Sequence, residues 1–209
     1  MFDLCVVTDR GLSNGLPESE IARLAYKGGA DVVQLRMKCQ DGKEFLEQAR
    51  LIKEHSDEYT KFFIVNDRVD IAFLSDADGV HLGQSDIPIE DVRSILGDDK
   101  LIGISVHSVE EAVDAQERGA DYVSVGTIFT TATKKDAQQN LGLDAVFTVK
   151  NAVDIPVMAI GGINRGNIQD VIRAGADGVA VVSAVVSKED ISAATHELRD
   201  MILKVRPNI

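Results

Sequence analysis

Four short segments of the chain share one frame. ADVVQL at 30–35, ADGVHL at 77–82, ADYVSV at 120–125 and ADGVAV at 176–181 each run A-D-x-V-x-φ, with φ apolar, and their starts lie 47, 43 and 56 residues apart. That spacing is too long for one strand plus one helix and suits two such units, so the frame marks every second strand of a β/α series. Between the repeats lie LCVVTD (4–9), FFIVND (62–67), LIGISV (101–106) and PVMAIGG (156–162), short, apolar and β-branched like strands buried on both faces. Helical patterns fill the gaps: Glu18 to Lys27, Gly42 to His55, Val69 to Leu74, Ile89 to Leu96, Val109 to Arg118, Leu143 to Asn151, Asn167 to Ala174 and Ile191 to Val205. In the fifth, Ser108 is placed to cap the start, Glu110 and Glu111 follow in the first turn, and Gly119 can supply a left-handed residue at the end.

Eight strands alternating with eight helices predict an α/β chain folded as one (β/α)8 TIM barrel over residues 1–209, near the small end of that fold. A doubly wound open sheet would show the same alternation, but recurrence through to the last strand argues for closure. With 44% hydrophobic residues the core can be substantial, and no linker divides the chain.

The 34 acidic and 22 basic side chains give a formal net charge of −12, which excludes a broad nucleic-acid or anionic-membrane surface and leaves small molecules as partners. An anionic ligand must then be met by local positive charge. MFDLCVVTDR carries Asp3 inside its apolar run and no basic leader, and no stretch approaches the ~20 apolar residues of a membrane span, so a cytoplasmic protein is expected. Cys5 and Cys39 lack metal or redox spacing; both read as inert, Cys5 in the core and Cys39 at a loop edge beside Lys38. The helix faces show no interface stripe, so homo-oligomer formation stays open.

In a barrel, ligands meet the carboxyl ends of the strands. Within QLRMK a period of two puts Gln34, Arg36 and Lys38 on one side, two cations and an amide together. Arg36 can grip a phosphate through two parallel hydrogen bonds, with Lys38 as a mobile charge. Asp67 after Asn66 and Asp86 in LGQSD suit Mg2+, which takes one or two carboxylates with phosphate oxygens and water. The bland alternatives are an Asp67–Arg68 ion pair and an Asp86 cap on the helix after Pro88. GTIFTTATKKD at 126–136 concentrates hydroxyls at Thr131 and Thr133 beside Lys134, which suits an anion better than a plain turn. Gly161-Gly162 and Val182-Ser183 offer backbone N–H groups where barrels often hold phosphate, although the glycines also suit a tight turn. His107, two residues from Ser105, is a candidate acid or base; His81 reads as a packed strand residue and His55 and His196 as helix-surface residues.

In order, VTDR, VQLRMK, IVNDRVDIA, ADGVHLGQSD, IGISVHS, GADYVSVGTIFTTATKKD, AIGGI and GADGVAVVSA resemble the thiamine phosphate synthase family over nearly the whole chain. The resemblance implies a transferase joining hydroxymethylpyrimidine pyrophosphate to hydroxyethylthiazole phosphate, with Mg2+ and release of pyrophosphate. It assigns Gln34, Arg36, Lys38 and Asn66 to the pyrimidine pyrophosphate, Ser105 to the pyrimidine, Asp67 and Asp86 to Mg2+ and Lys134 to the pyrophosphate. Thr131, Thr133, Gly162, Val182 and Ser183 would hold the thiazole phosphate. Thr127 departs from the family's proline in the sixth-strand loop, without removing a ligand group. A thiazole tautomerase of the same fold, using a histidine at the position of His107, and a non-catalytic precursor-binding barrel are the alternatives. Asp86 and the TxTK run argue for the synthase.

Overall fold

The computed structural model describes residues 2–37, 41–131 and 140–206. Eight parallel strands close into one barrel in chain order. They are β1 (Leu4–Val7), β2 (Val32–Leu35), β3 (Phe62–Asn66), β4 (Gly79–Leu82), β5 (Leu101–Val106), β6 (Tyr122–Val125), β7 (Val157–Ile160) and β8 (Gly178–Val181). Closure is direct, with Cys5 paired to Val32 of β2 on one side and to Ala180 of β8 on the other. The open-sheet alternative is thereby excluded.

Around the barrel lie α1 (Glu18–Lys27), α2 (Gly42–Tyr59), α3 (Val69–Leu74), α4 (Ile89–Leu96), α5 (Val109–Glu117), α6 (Gly142–Ala152), α7 (Ile168–Arg173), α8 (Ser183–Val186) and α9 (Ile191–Leu203). The eight expected helices are present, α1, α3 and α4 with the expected bounds and the other five with shifted ends; α2 runs four residues past His55 and stops at Thr60, which is left-handed with φ 54°. Ser108 caps α5 by accepting the Glu111 N–H at 3.2 Å, and Gly119 is left-handed beyond its end, as expected. The sequence did not reveal α8, because a four-residue turn inside VVSAVVS is too short to show a 3.6-residue period.

Strand alternation divides the apolar residues into two cores. Val6, Val33, Phe63, Val65, Val80, Leu82, Ile102 and Ile104 face outward and pack beneath the helices. Cys5, Val7, Val32, Ile64, Tyr122, Met158 and Ala180 fill the barrel interior. Both are sealed at the amino end of the strands, where the A-D repeat takes on a physical meaning. Asp78, Asp121 and Asp177 accept the backbone N–H of Phe63, Ile102 and Val157, each at 2.7 Å. Asp31 accepts that of Leu4 at 3.3 Å. Each carboxylate also takes a cation: Lys61 on Asp31, Lys53 on Asp78, Arg93 on Asp121 and Lys150 on Asp177. The preceding alanine is buried in all four copies, and before it comes a left-handed residue, Gly29, Asp76, Gly119 or Gly175. The repeat is therefore a helix stop, a packing residue and a latch to the preceding strand.

One surface feature departs from the sequence expectation. Phe73, Leu74, Ile87 and Ile95 are exposed and line a common apolar groove. They come from α3, the loop before α4 and α4 itself, so no single helix pattern displays them. Among the described residues, no helix is long and apolar enough to cross a membrane.

Candidate active site

The carboxyl ends of the strands surround a solvent-open cavity. Gln34, Arg36, Asn66, Ser105, Thr131, Gly162, Val182 and Ser183 all line it, along with His107 and Thr127. Lys38, Thr133 and Lys134, with Cys39, lie outside the described residues.

Gln34 is buried on β2, and Arg36, two residues on, reaches the same cavity as the strand period requires. Arg36 is anchored by β1. Its backbone N–H donates to the Thr8 hydroxyl at 3.0 Å, and that hydroxyl donates to the Arg36 carbonyl at 3.3 Å. The buried Asp9 carboxylate lies 3.8 Å from the guanidinium. Thr8 and Asp9 therefore aim the cation, a role the sequence reading of VTDR did not assign. The missed signal is a polar pair at the carboxyl end of a strand, the same signal used for the other strands.

Asp67 and Asp86 stand beside the cavity rather than in its wall, close enough for their carboxylates to interact. Burial, and next the Asp86 carboxylate, raise the Asp67 pKa against the opposing pull of Arg36 and a hydrogen bond from Asn66. Neither bland alternative holds. Arg68 makes its bidentate pair with Asp70, at 2.8 and 2.6 Å, and α4 has no side-chain cap, because Asp86 accepts the Gly83 N–H at 2.6 Å instead. Two adjoining carboxylates that repel one another form a donor set that fits a hard divalent cation with room for phosphate oxygens and water. Among the described residues no cluster of three or more His, Cys, Asp or Glu side chains forms a self-sufficient metal cage.

The opposite wall is built from backbone. Gly161 and Gly162 have φ of 103° and 67°. A Cβ on Gly162 would lie 2.7 Å from both the Phe129 Cβ and the Thr130 carbonyl, so the steric reason for glycine is real. The Gly162 carbonyl is engaged by the side-chain amides of Asn164 and Asn167, at 3.0 and 3.1 Å. The sixth-strand loop is tied at both ends: Ile128 and Phe129 donate to Ile160 and Gly161, and Leu141 and Gly142 donate back to Thr127 and Ile128. Thr127 thus sits in a hydrogen-bonded base without the family's proline. At β8 the chain turns into α8 at Ser183, whose first-turn N–H groups have no acceptor within the helix.

His107 stands at the rim, its ring Nδ1 3.2 Å from Glu111 Oε2. His81 is buried in β4 as expected, yet its ring lines the cavity floor beside Ser105. The strand period could have shown this, since His81 pairs with Asn66 across β3 and β4 and both line the cavity.

A family model described as thiamine monophosphate synthase matches residues 4–185. The chain belongs to the thiamine monophosphate synthase family. It is 49% identical over 205 residues to the thiamine-phosphate synthase of Methanocella arvoryzae, covering 98% of this chain and 97% of that one. It is 45% identical over 200 residues to the thiamine-phosphate synthase of Clostridium novyi, covering 96% and 98%. The solved thiamine phosphate pyrophosphorylase of Pyrococcus furiosus superposes with a TM-score of 0.91 at 43% identity, covering 98% of this chain and 96% of that one. The family resemblance seen in the motifs thus holds across sequence and fold, and an enzyme of the transferase class follows from it.

Proposed function

We propose that the chain is a thiamine phosphate synthase, joining hydroxymethylpyrimidine pyrophosphate to hydroxyethylthiazole phosphate with release of pyrophosphate. The observation that carries this reading is one cavity with two differently built anion walls. A side-chain wall of Gln34, Arg36 and Asn66 adjoins the Asp67–Asp86 pair, and a backbone wall of Gly162, Val182 and Ser183 stands with Thr131.

The first wall takes the pyrimidine pyrophosphate and Ser105 the pyrimidine ring; the second takes the thiazole phosphate. Lys38, Lys134 and Thr133 join these groups from outside the described residues. Asp67 and Asp86 would hold Mg2+, which when bound neutralises charge on the pyrophosphate. The bond from the pyrimidine methylene carbon to the pyrophosphate oxygen breaks and its electron pair leaves with the pyrophosphate. The thiazole nitrogen lone pair then forms the new carbon–nitrogen bond, so no protein nucleophile is needed. The leaving group gains charge as that bond breaks, so Arg36, preset by Thr8 and Asp9, stabilises the transition state more than the ground state. We place the reaction in the cytoplasm, with its two small-molecule substrates as partners.

The test supplies both substrates with Mg2+ and follows pyrophosphate release together with thiamine phosphate formation. Folded protein that yields neither product would overturn the reading. Arg36→Ala should lower kcat/KM by roughly 30- to 1000-fold, the range for losing one preorganised contact worth about 2–4 kcal/mol.

A further inference from the structure

Beneath the cavity, three side chains from three adjacent strands form a continuous polar chain. His81 Nδ1 lies 3.0 Å from the Tyr122 hydroxyl, and His81 Nε2 lies 2.9 Å from Ser105 Oγ. The strand register explains how residues on β4 and β6 can meet across β5. His81 pairs with Gly103, and Gly103 pairs with Tyr122, so the three share one level of the barrel. A Cβ on Gly103 would collide with the Tyr122 ring. Glycine there opens a gap through which the tyrosine reaches the histidine, with ring centroids 5.5 Å apart.

The chain has a direction. Tyr122 has no other hydrogen-bond partner among the described residues, so its O–H is donated to His81 Nδ1. Burial pushes the phenol pKa well above its ordinary value, which keeps that proton in place. With Nδ1 accepting, neutral His81 carries its proton on Nε2 and donates it to Ser105 Oγ. Ser105 makes no other side-chain hydrogen bond among the described residues, and its carbonyl is fixed by Gln84 Nε2 at 2.7 Å. Its own hydroxyl proton is therefore left for the cavity.

We propose that His81 and Tyr122 are positioning residues that turn Ser105 into a hydrogen-bond donor toward the substrate, selecting a ring with an acceptor nitrogen at that point. The inference rests on the reading that Ser105 meets the pyrimidine. It makes the floor of the site, rather than its anion walls, the element that recognises the heterocycle. A pyrimidine ring nitrogen is such an acceptor, and a carbocyclic ring of the same shape is not.

The histidine tautomer is read first, by 15N NMR on the unliganded protein, independently of any turnover. A protonated Nε2 and bare Nδ1 at His81, shifting to a mixture in Tyr122→Phe, are expected; a protonated Nδ1 would overturn the proposal. Steady-state kinetics follow. Tyr122→Phe and His81→Leu should each lower kcat/KM for the pyrimidine pyrophosphate by roughly tenfold, the scale of one hydrogen bond, with KM for the thiazole phosphate unchanged. His81→Gln, which can present an amide N–H to Ser105, should recover most of that loss. His81→Leu combined with Ser105→Ala should be no worse than Ser105→Ala alone, whereas additive losses would overturn the relay. If wild-type protein turned over neither substrate while showing the expected tautomer, the proposed reaction would fall and the hydrogen-bond chain would stand. The ring preference itself would be overturned by equal binding of a carbocyclic analogue of the pyrimidine.

Discussion

The Asp177 carboxylate accepts the backbone N–H of Val157 at 2.7 Å. The same oxygen takes the Lys150 ammonium at 2.6 Å; at Asp121 one oxygen likewise serves Ile102 and Arg93, whereas Asp78 divides Phe63 and Lys53 between its two oxygens. Parallel strands in a barrel leave N–H groups at their amino ends without a ladder partner, and a carboxylate at the start of the next strand supplies one.

Asp177→Ala should therefore destabilise the fold while sparing the chemistry. The N–H of Val157, a fully buried residue, would lose its acceptor, at a cost of about 1–3 kcal/mol. The urea midpoint should fall with unchanged m-value. Because the latch lies at the end of the barrel opposite the cavity, kcat/KM of the folded variant should match wild type. Asp177→Asn retains an oxygen acceptor and should regain most of the loss.

The residue two before each of these aspartates carries a separate, purely conformational load. Gly119 has φ of 93°, and a Cβ there would meet nothing within 4 Å, so substitution tests the backbone alone. Gly119→Ala should cost about 1–2 kcal/mol, the penalty for a side chain in the left-handed region. Gly119→Asn should cost less, since short polar side chains tolerate that region, as Asp76 does in the second repeat at φ 53°. Thermal melts of the two variants make the comparison.

These two roles show why the barrel was legible before any coordinates. The A-D frame encodes a stop, a packed alanine and a latch, each with a narrow choice of residue, so it survives as a visible pattern. Gln34 and Arg36 were legible for a similar reason, since the strand period alone puts them on one side. The positions of His81 and Thr8 carried a signal too, but what they and Tyr122 do was not legible. Their roles depend on neighbours in other strands, and Tyr122 on a glycine in β5 whose purpose appears only in register. The apolar groove of Phe73, Ile87 and Ile95 escaped because it is assembled from separate segments.

At the carboxylate pair, Asp67→Asn should raise the Mg2+ concentration for half-maximal activity by roughly tenfold or more, since a hard cation loses an anionic ligand. Asparagine has nearly the size and shape of aspartate, so the substitution removes the charge with little change in volume. Metal titrations at saturating substrates measure the shift. An unchanged half-saturation would remove Asp67 from the metal site.

The buried thiol gives a pH dependence of defined sign. Burial, with a further push from Asp31 against a backbone hydrogen bond at Gln34, raises the Cys5 pKa to about 12. In the unfolded chain it titrates near 8.5. Below that value both states hold the proton and Cys5 adds no pH dependence. Between the two values the unfolded chain releases it while the folded protein keeps it, so the stability associated with the neutral thiol declines as pH rises. The slope approaches about 1.4 kcal/mol per pH unit. Urea unfolding of wild type and Cys5→Ala between pH 7.5 and 10 isolates this contribution, because every other group, Cys39 included, is common to both. The difference in stability between them should shift against wild type by about 2 kcal/mol over that range. A pH-independent difference would mean that the thiol ionises as readily in the barrel as in water.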